Sequence, residues 1–130
     1  MANLSSTQAS ALAQIFLDVG KSVGDFLFQN WNEMTDEERE YVSSRQWEIL
    51  KQGEDILAFS TVLVMDEVDH ALSEIDNITA DINSSIAHLQ NIHKGINVAA
   101  AVVALGSAIL SRSPEGIGES IWQLSQSWKS

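Results

Sequence analysis

From Glu54 to Lys94 the chain contains neither proline nor glycine, and this constrains its folding more than any other feature. Those two residues punctuate helices, so about forty residues without them predict one continuous helix. Written as heptads, the stretch places Val68, Ile75, Ile82, Leu89 and Ile96 at one core position. Met65, Leu72, Thr79, Ile86 and His93 occupy the second, and Val64, Ala71, Ile78, Ser85 and Ile92 the third. The opposite face is polar and mostly acidic, with Asp66, Glu67, Asp69, Glu74, Asp76 and Asp81. An apolar face this wide suits a helix packed between two neighbours rather than the narrow seam of a two-stranded coiled coil.

The flanking segments also read as helices. Ser5 and Gln8 form a capping box that opens a helix expected over about residues 6 to 33, carrying Leu12, Phe16, Val23, Phe26 and Trp31. Gly20 and Gly24, four apart, permit another helix to approach closely. Thr35 and Glu38 form a second capping box, and the helix it opens is expected to stop near Gly53. Trp31 and Trp47 read as core residues. Within the long stretch, Ile56 to Met65 is apolar almost all round, which predicts an enclosed helical segment, and any bend is expected between Asp76 and Ser85, where helix propensity is low. Lys94 and Gly95 read as a stop. The apolar run from Val98 to Leu110 follows, too short at about thirteen residues to span a bilayer. Ser113 and Pro114 open a last helix. The expected fold is therefore all-α: an elongated helical bundle of four to five helices around the long one, in a single domain covering residues 1–130.

Charge narrows the function. The net charge is −11, the seven bases are scattered singly, and none falls between Lys51 and Lys94. A surface of this kind repels phosphate backbones and anionic lipid, so nucleic acid is not an expected partner. There is no cysteine, hence no disulfide or thiolate chemistry. The N-terminal residues lack the basic and apolar regions of a signal peptide, giving the expectation of a cytoplasmic protein, or one exported without such a signal.

Candidate chemistry is sparse. Glu67 and His70 form a Glu-x-x-His pair, the unit that binds iron or manganese in four-helix carboxylate proteins, but a dinuclear site needs a second pair and none occurs. The pair is read as part of a solvated acidic face, with His70 partnered by a carboxylate. His93 sits at the expected helix end and is assigned to capping carbonyls there. No nucleophile motif or phosphate-binding loop is present, so neither enzyme activity nor a cofactor is expected.

Lengths then conflict. A straight helix of forty residues reaches roughly 60 Å, well past neighbours of roughly 25 to 40 Å. Either it breaks and the chain folds back, or its far end is buried by something else. The favoured expectation is burial against another chain, a second copy or a helical protein partner, making this an interaction or self-assembly protein. The candidate interface comprises Ile78, Ile82, Ile86, Leu89 and Ile92 on the long helix, Val102, Leu105 and Ile109 on the apolar one, and Trp122 and Trp128 near the C-terminus. Residues 54 to 112, a long amphipathic helix followed by an Ala/Val/Gly-rich one, resemble in composition the soluble helical pore-forming toxins. That resemblance implies the alternative of a membrane-active protein inserting residues 96–110.

Overall fold

Helix formation starts where side chains can satisfy the free amides of a first turn. In the computed structural model, which describes residues 2–89 and 91–129, Ser5 Oγ accepts from the Gln8 amide at 3.1 Å while the Gln8 side chain accepts from the Ser5 amide at 2.9 Å. This reciprocal cap opens α1, Ser6–Gln29. Thr35 and Glu38 repeat it at 3.1 and 2.8 Å to open α2, Asp36–Ala58, whose first turn holds Asp36, Glu37 and Glu38 against the positive end of the helix dipole. Gly53 does not end α2. It is buried where α1 crosses, so close that an added Cβ would lie 3.2 Å from the Ala13 carbonyl oxygen. Gly20, on the facing side, would meet Leu50 at 2.6 Å, which is the close approach its spacing with Gly24 permits.

The fold is all-α, but the continuous helix expected from Glu54 to Lys94 is broken twice. Its first residues complete α2, and the chain then turns through 59–63. A two-residue strand β2, Val64–Met65, follows and pairs antiparallel with β1, Ala2–Asn3. After it come α3, Val68–Ser85, a 3-10 turn at Ile86–His88, and α4, Ile92–Leu110; Gln90 lies outside the described residues. The last helix, α5, spans Pro114–Lys129. The longest is α1, with 24 residues. Lack of proline and glycine removes obstacles to a helix but does not force one. The stretch at Thr61, Val62 and Val64 is β-branched and suits extended backbone. Breaking there lets Leu63 and Met65 become fully buried while Leu57, Phe59 and Val62 stay about half exposed, so the apolar run is not an enclosed helix. α3 is continuous through the low-propensity segment Asp76–Ser85, so the second break falls just past it, and within it the Thr79 hydroxyl donates to the Ile75 carbonyl at 2.6 Å.

The expected stop at Lys94–Gly95 lies inside α4. Asn91 caps this helix by accepting from the Lys94 amide at 3.1 Å, so α4 begins earlier than its apolar run and reaches 19 residues. Gly95 is there for packing. The fully buried Phe26 ring lies where a Cβ would be, 2.1 Å from its Cζ. At the other end Arg112 adopts φ 61, with its amide donating to Ile109 and the Ser113 amide to Ala108, a Schellman ending. Ser113 then caps α5 by accepting from the Gly116 amide at 3.1 Å.

These elements close on one apolar core, from Leu12, Phe16 and Phe26 of α1 through Ile49 and Ile56 of α2 and Ile75 and Ile82 of α3 to Val102, Leu105 and Ile109 of α4 and Leu124 of α5. Each fully buried side chain of this size contributes about 1.5 to 3 kcal/mol of transfer free energy. α4 packs against α2 and α5, and α3 against α1 and α5. Gln52 of α2 is buried at the α4 contact, donating to the Val103 carbonyl at 3.0 Å and to Ser107 Oγ at 3.3 Å.

Candidate functional site

α3 and α5 each bury one face, and their outer faces diverge to leave a groove. From α3 the buried set is Val68, Ala71, Ile75, Ile78, Thr79 and Ile82, and from α5 it is Ile117, Ile121 and Leu124. Between the two helices lies an open hollow of about 520 Å³, lined by Glu74, Asn77, Ile78, Asp81, Gly118, Ile121, Trp122, Ser125 and Lys129. A second hollow of about 360 Å³ shares Glu74, Gly118 and Ile121 and continues toward Glu67, His70 and Pro114. Gly118 borders both hollows, and a Cβ there would meet nothing within 4 Å. Trp122 stands beside it, 62 % exposed.

The two walls differ in charge. The α3 side presents Glu74 and Asp81, two helical turns apart, and Glu67 just before the helix, while the α5 side has Trp122 and Ser125, with Lys129 at one end. Within the acidic wall His70 Nε2 lies 2.7 Å from Glu74 Oε1. Glu67 precedes α3 in a left-handed conformation, φ 44. The carboxylate partner of His70 is thus Glu74, one turn further along, and the candidate metal pair Glu67 and His70 is not joined by any such contact. Among the described residues no three His, Asp or Glu side chains cluster as a metal site. Far from this groove, the Arg45 guanidinium is held above its ordinary value, chiefly by its hydrogen bond with Tyr41 and also by Glu48, which together outweigh burial.

Of the sequence-derived interface residues, the structure brings Ile78 and Trp122 together across the groove. Ile82, Ile86, Val102, Leu105 and Ile109 are instead fully buried in the chain's own core. Leu89, Ile92 and Trp128 are half-buried against it, Trp128 with the Lys94 ammonium 5.1 Å from its ring centre. Folding back at the two breaks supplies from within the chain the cover that a straight helix lacks. Trp31 and Trp47 correct another expectation: they are 48 % and 67 % exposed, Trp31 lying in a 3-10 turn with the Arg39 guanidinium 5.0 Å over its ring. His93 is exposed in the first turn of α4, not at a helix end. Gly118 and Ile121 are the groove residues that the sequence-derived interface omitted, whereas Glu67, Glu74 and Asp81 were already placed on the acidic face. The seven-residue recurrence of Glu67, Glu74 and Asp81 is the signal that pointed to that face.

α4 is, among the described residues, the one helix long and apolar enough to cross a membrane by length and composition, with mean hydropathy 1.5. Comparison with known proteins finds no matching family model, no matching curated protein and no matching solved structure.

Proposed function

We propose that this is a non-enzymatic interaction protein that docks another chain in the groove between α3 and α5. The observation that carries the reading is Trp122, 62 % exposed over an apolar floor of Ile78 and Ile121, with Gly118 leaving the space beside it open. Tryptophans in such settings dominate binding energies, and a groove between two helices is a usual seat for a third. A panel of amphipathic helical peptides, titrated against the fluorescently labelled protein, tests it. Gly118→Trp fills the groove and Trp122→Ala removes its wall; both are expected to abolish binding while leaving helicity and melting temperature unchanged. Peptide binding that neither substitution alters would sink the reading.

The apolar character and 19-residue length of α4 support a second reading, release of that helix into a bilayer. It predicts dye leakage from vesicles at some pH and lipid composition, and vesicles that stay intact throughout would rule it out.

A further inference from the structure

We infer that the groove's occupant is a cationic amphipathic helix of another protein, carrying Lys or Arg at seven-residue spacing beside its apolar face. The inference rests on the docking role proposed above and adds the chemistry of the partner. The apolar surface the channel exposes is chiefly that of Trp122, standing over Ile78, Ile117 and Ile121 that are themselves at most 8 % exposed, and it calls for apolar side chains on the partner. The α3 wall calls for positive charge, because Glu74 and Asp81 lie seven residues apart on α3, about 10 Å along its axis, and Glu67 at the left-handed position just before the helix adds a third carboxylate beyond one end. A helix of about fifteen residues laid in the channel would carry bases at i, i+7 and i+14 along this carboxylate-lined side. His70 already contacts Glu74, but an ionised carboxylate accepts several donors. On the far wall the exposed Trp122 is available for a cation–π contact with a guanidinium, while Lys129 at one end of the groove disfavours a base placed there.

Charge also decides against a second copy of this chain. Its net charge is −11, and none of its own helices carries bases at seven-residue spacing. Arg39, Arg45 and Lys51 are engaged with Asp36, Glu48 and Asp55, and Lys94 lies over Trp128.

Three peptides of one helical design test this, with identical apolar stripes and Lys, Gln or Glu at the heptad-spaced positions, titrated by fluorescence anisotropy. The Lys peptide is expected to bind about tenfold more tightly than the Gln peptide, the effect of three exposed ion pairs of about half a kcal/mol each. That preference shrinks as salt rises from about 20 to about 200 mM. Reversing the wall with Glu67→Lys, Glu74→Lys and Asp81→Lys should transfer the preference to the Glu peptide. The same reversal on the α1–α2 side, Asp25→Lys with Glu40→Lys, should leave it with the Lys peptide and so separate groove binding from general attraction to an acidic protein. Equal affinity for all three peptides, still lost in Gly118→Trp, would overturn the cationic partner but keep the docking groove. Binding indifferent to Gly118→Trp would overturn both.

Discussion

Single backbone positions set where two of these helices can begin and end. Gly95 holds the site onto which the Phe26 ring packs, so Gly95→Ala forces a methyl into the ring of a fully buried side chain. Overpacking of this kind costs about 1 to 3 kcal/mol, and the variant should show a denaturant midpoint lowered accordingly with an unchanged slope. Arg112 is the opposite case. It occupies the left-handed position that ends α4, where an L side chain is strained and glycine is not. Arg112→Gly is expected to stabilise the protein by about 0.5 to 1 kcal/mol in the same measurement. Neither effect is legible in local sequence. Lys94-Gly95 looks like a helix end and Ser111-Arg112 does not, because a glycine's role depends on what packs against it and a helix ends where tertiary contacts stop rewarding it.

Among the elements, α3 was the most legible. Its heptad pattern assigns Val68, Ala71, Leu72, Ile75, Ile78, Thr79, Ile82 and Ser85 to the buried face; Leu72 is half-buried, Ser85 is exposed and the others are buried. Its limits were not legible, because the segments on either side carry no breaker and the choice to turn was made by burial of Leu63, Met65 and Ile86. The short β1–β2 ladder, with the Leu4 amide donating to the Leu63 carbonyl at 3.1 Å and Leu4 itself buried, ties the N-terminus across the first break. A chain shortened to begin at Ser5 should therefore lose hydrogen-exchange protection at the amide of Met65, which faces Ala2 in a hydrogen-bonded pair, while the amides within α3 keep theirs. At the opposite side of the molecule, Thr35→Ala removes a reciprocal cap from α2 and should cost about 1 kcal/mol in thermal or denaturant unfolding.

Over the whole molecule, electrostatics oppose compactness. With a net charge of −11 and the three Lys or Arg ion pairs among the described residues all local to α2, folding gathers like charges together. Raising salt from about 20 to about 200 mM should accordingly raise the melting temperature, by a few degrees, and a melting point that falls or stays flat would contradict this account. The groove is a feature of this scale too. Trp122 and the acidic row on α3 could be picked out separately, but only the packing of α5 against α3 sets Gly118 and Ile121 between them. Gly118, without a side chain, gives no hydrophobic signal along α5, and its openness exists only relative to α3.

What could be read from residue order was everything governed by short-range physics: an all-helical chain, the caps at Ser5 and Thr35, the start at Pro114, and the buried and acidic faces of α3. Those depend on hydrogen bonds and periodicities within a few residues. The two breaks around α3, the extension of α4 past Gly95 and the groove depended on the tertiary structure, because a straight helix of forty residues leaves its apolar face in water. Folding it back buries Ile82, Ile86, Val102, Leu105 and Ile109 within one chain, and that burial outweighs the helical hydrogen bonds given up at the turns.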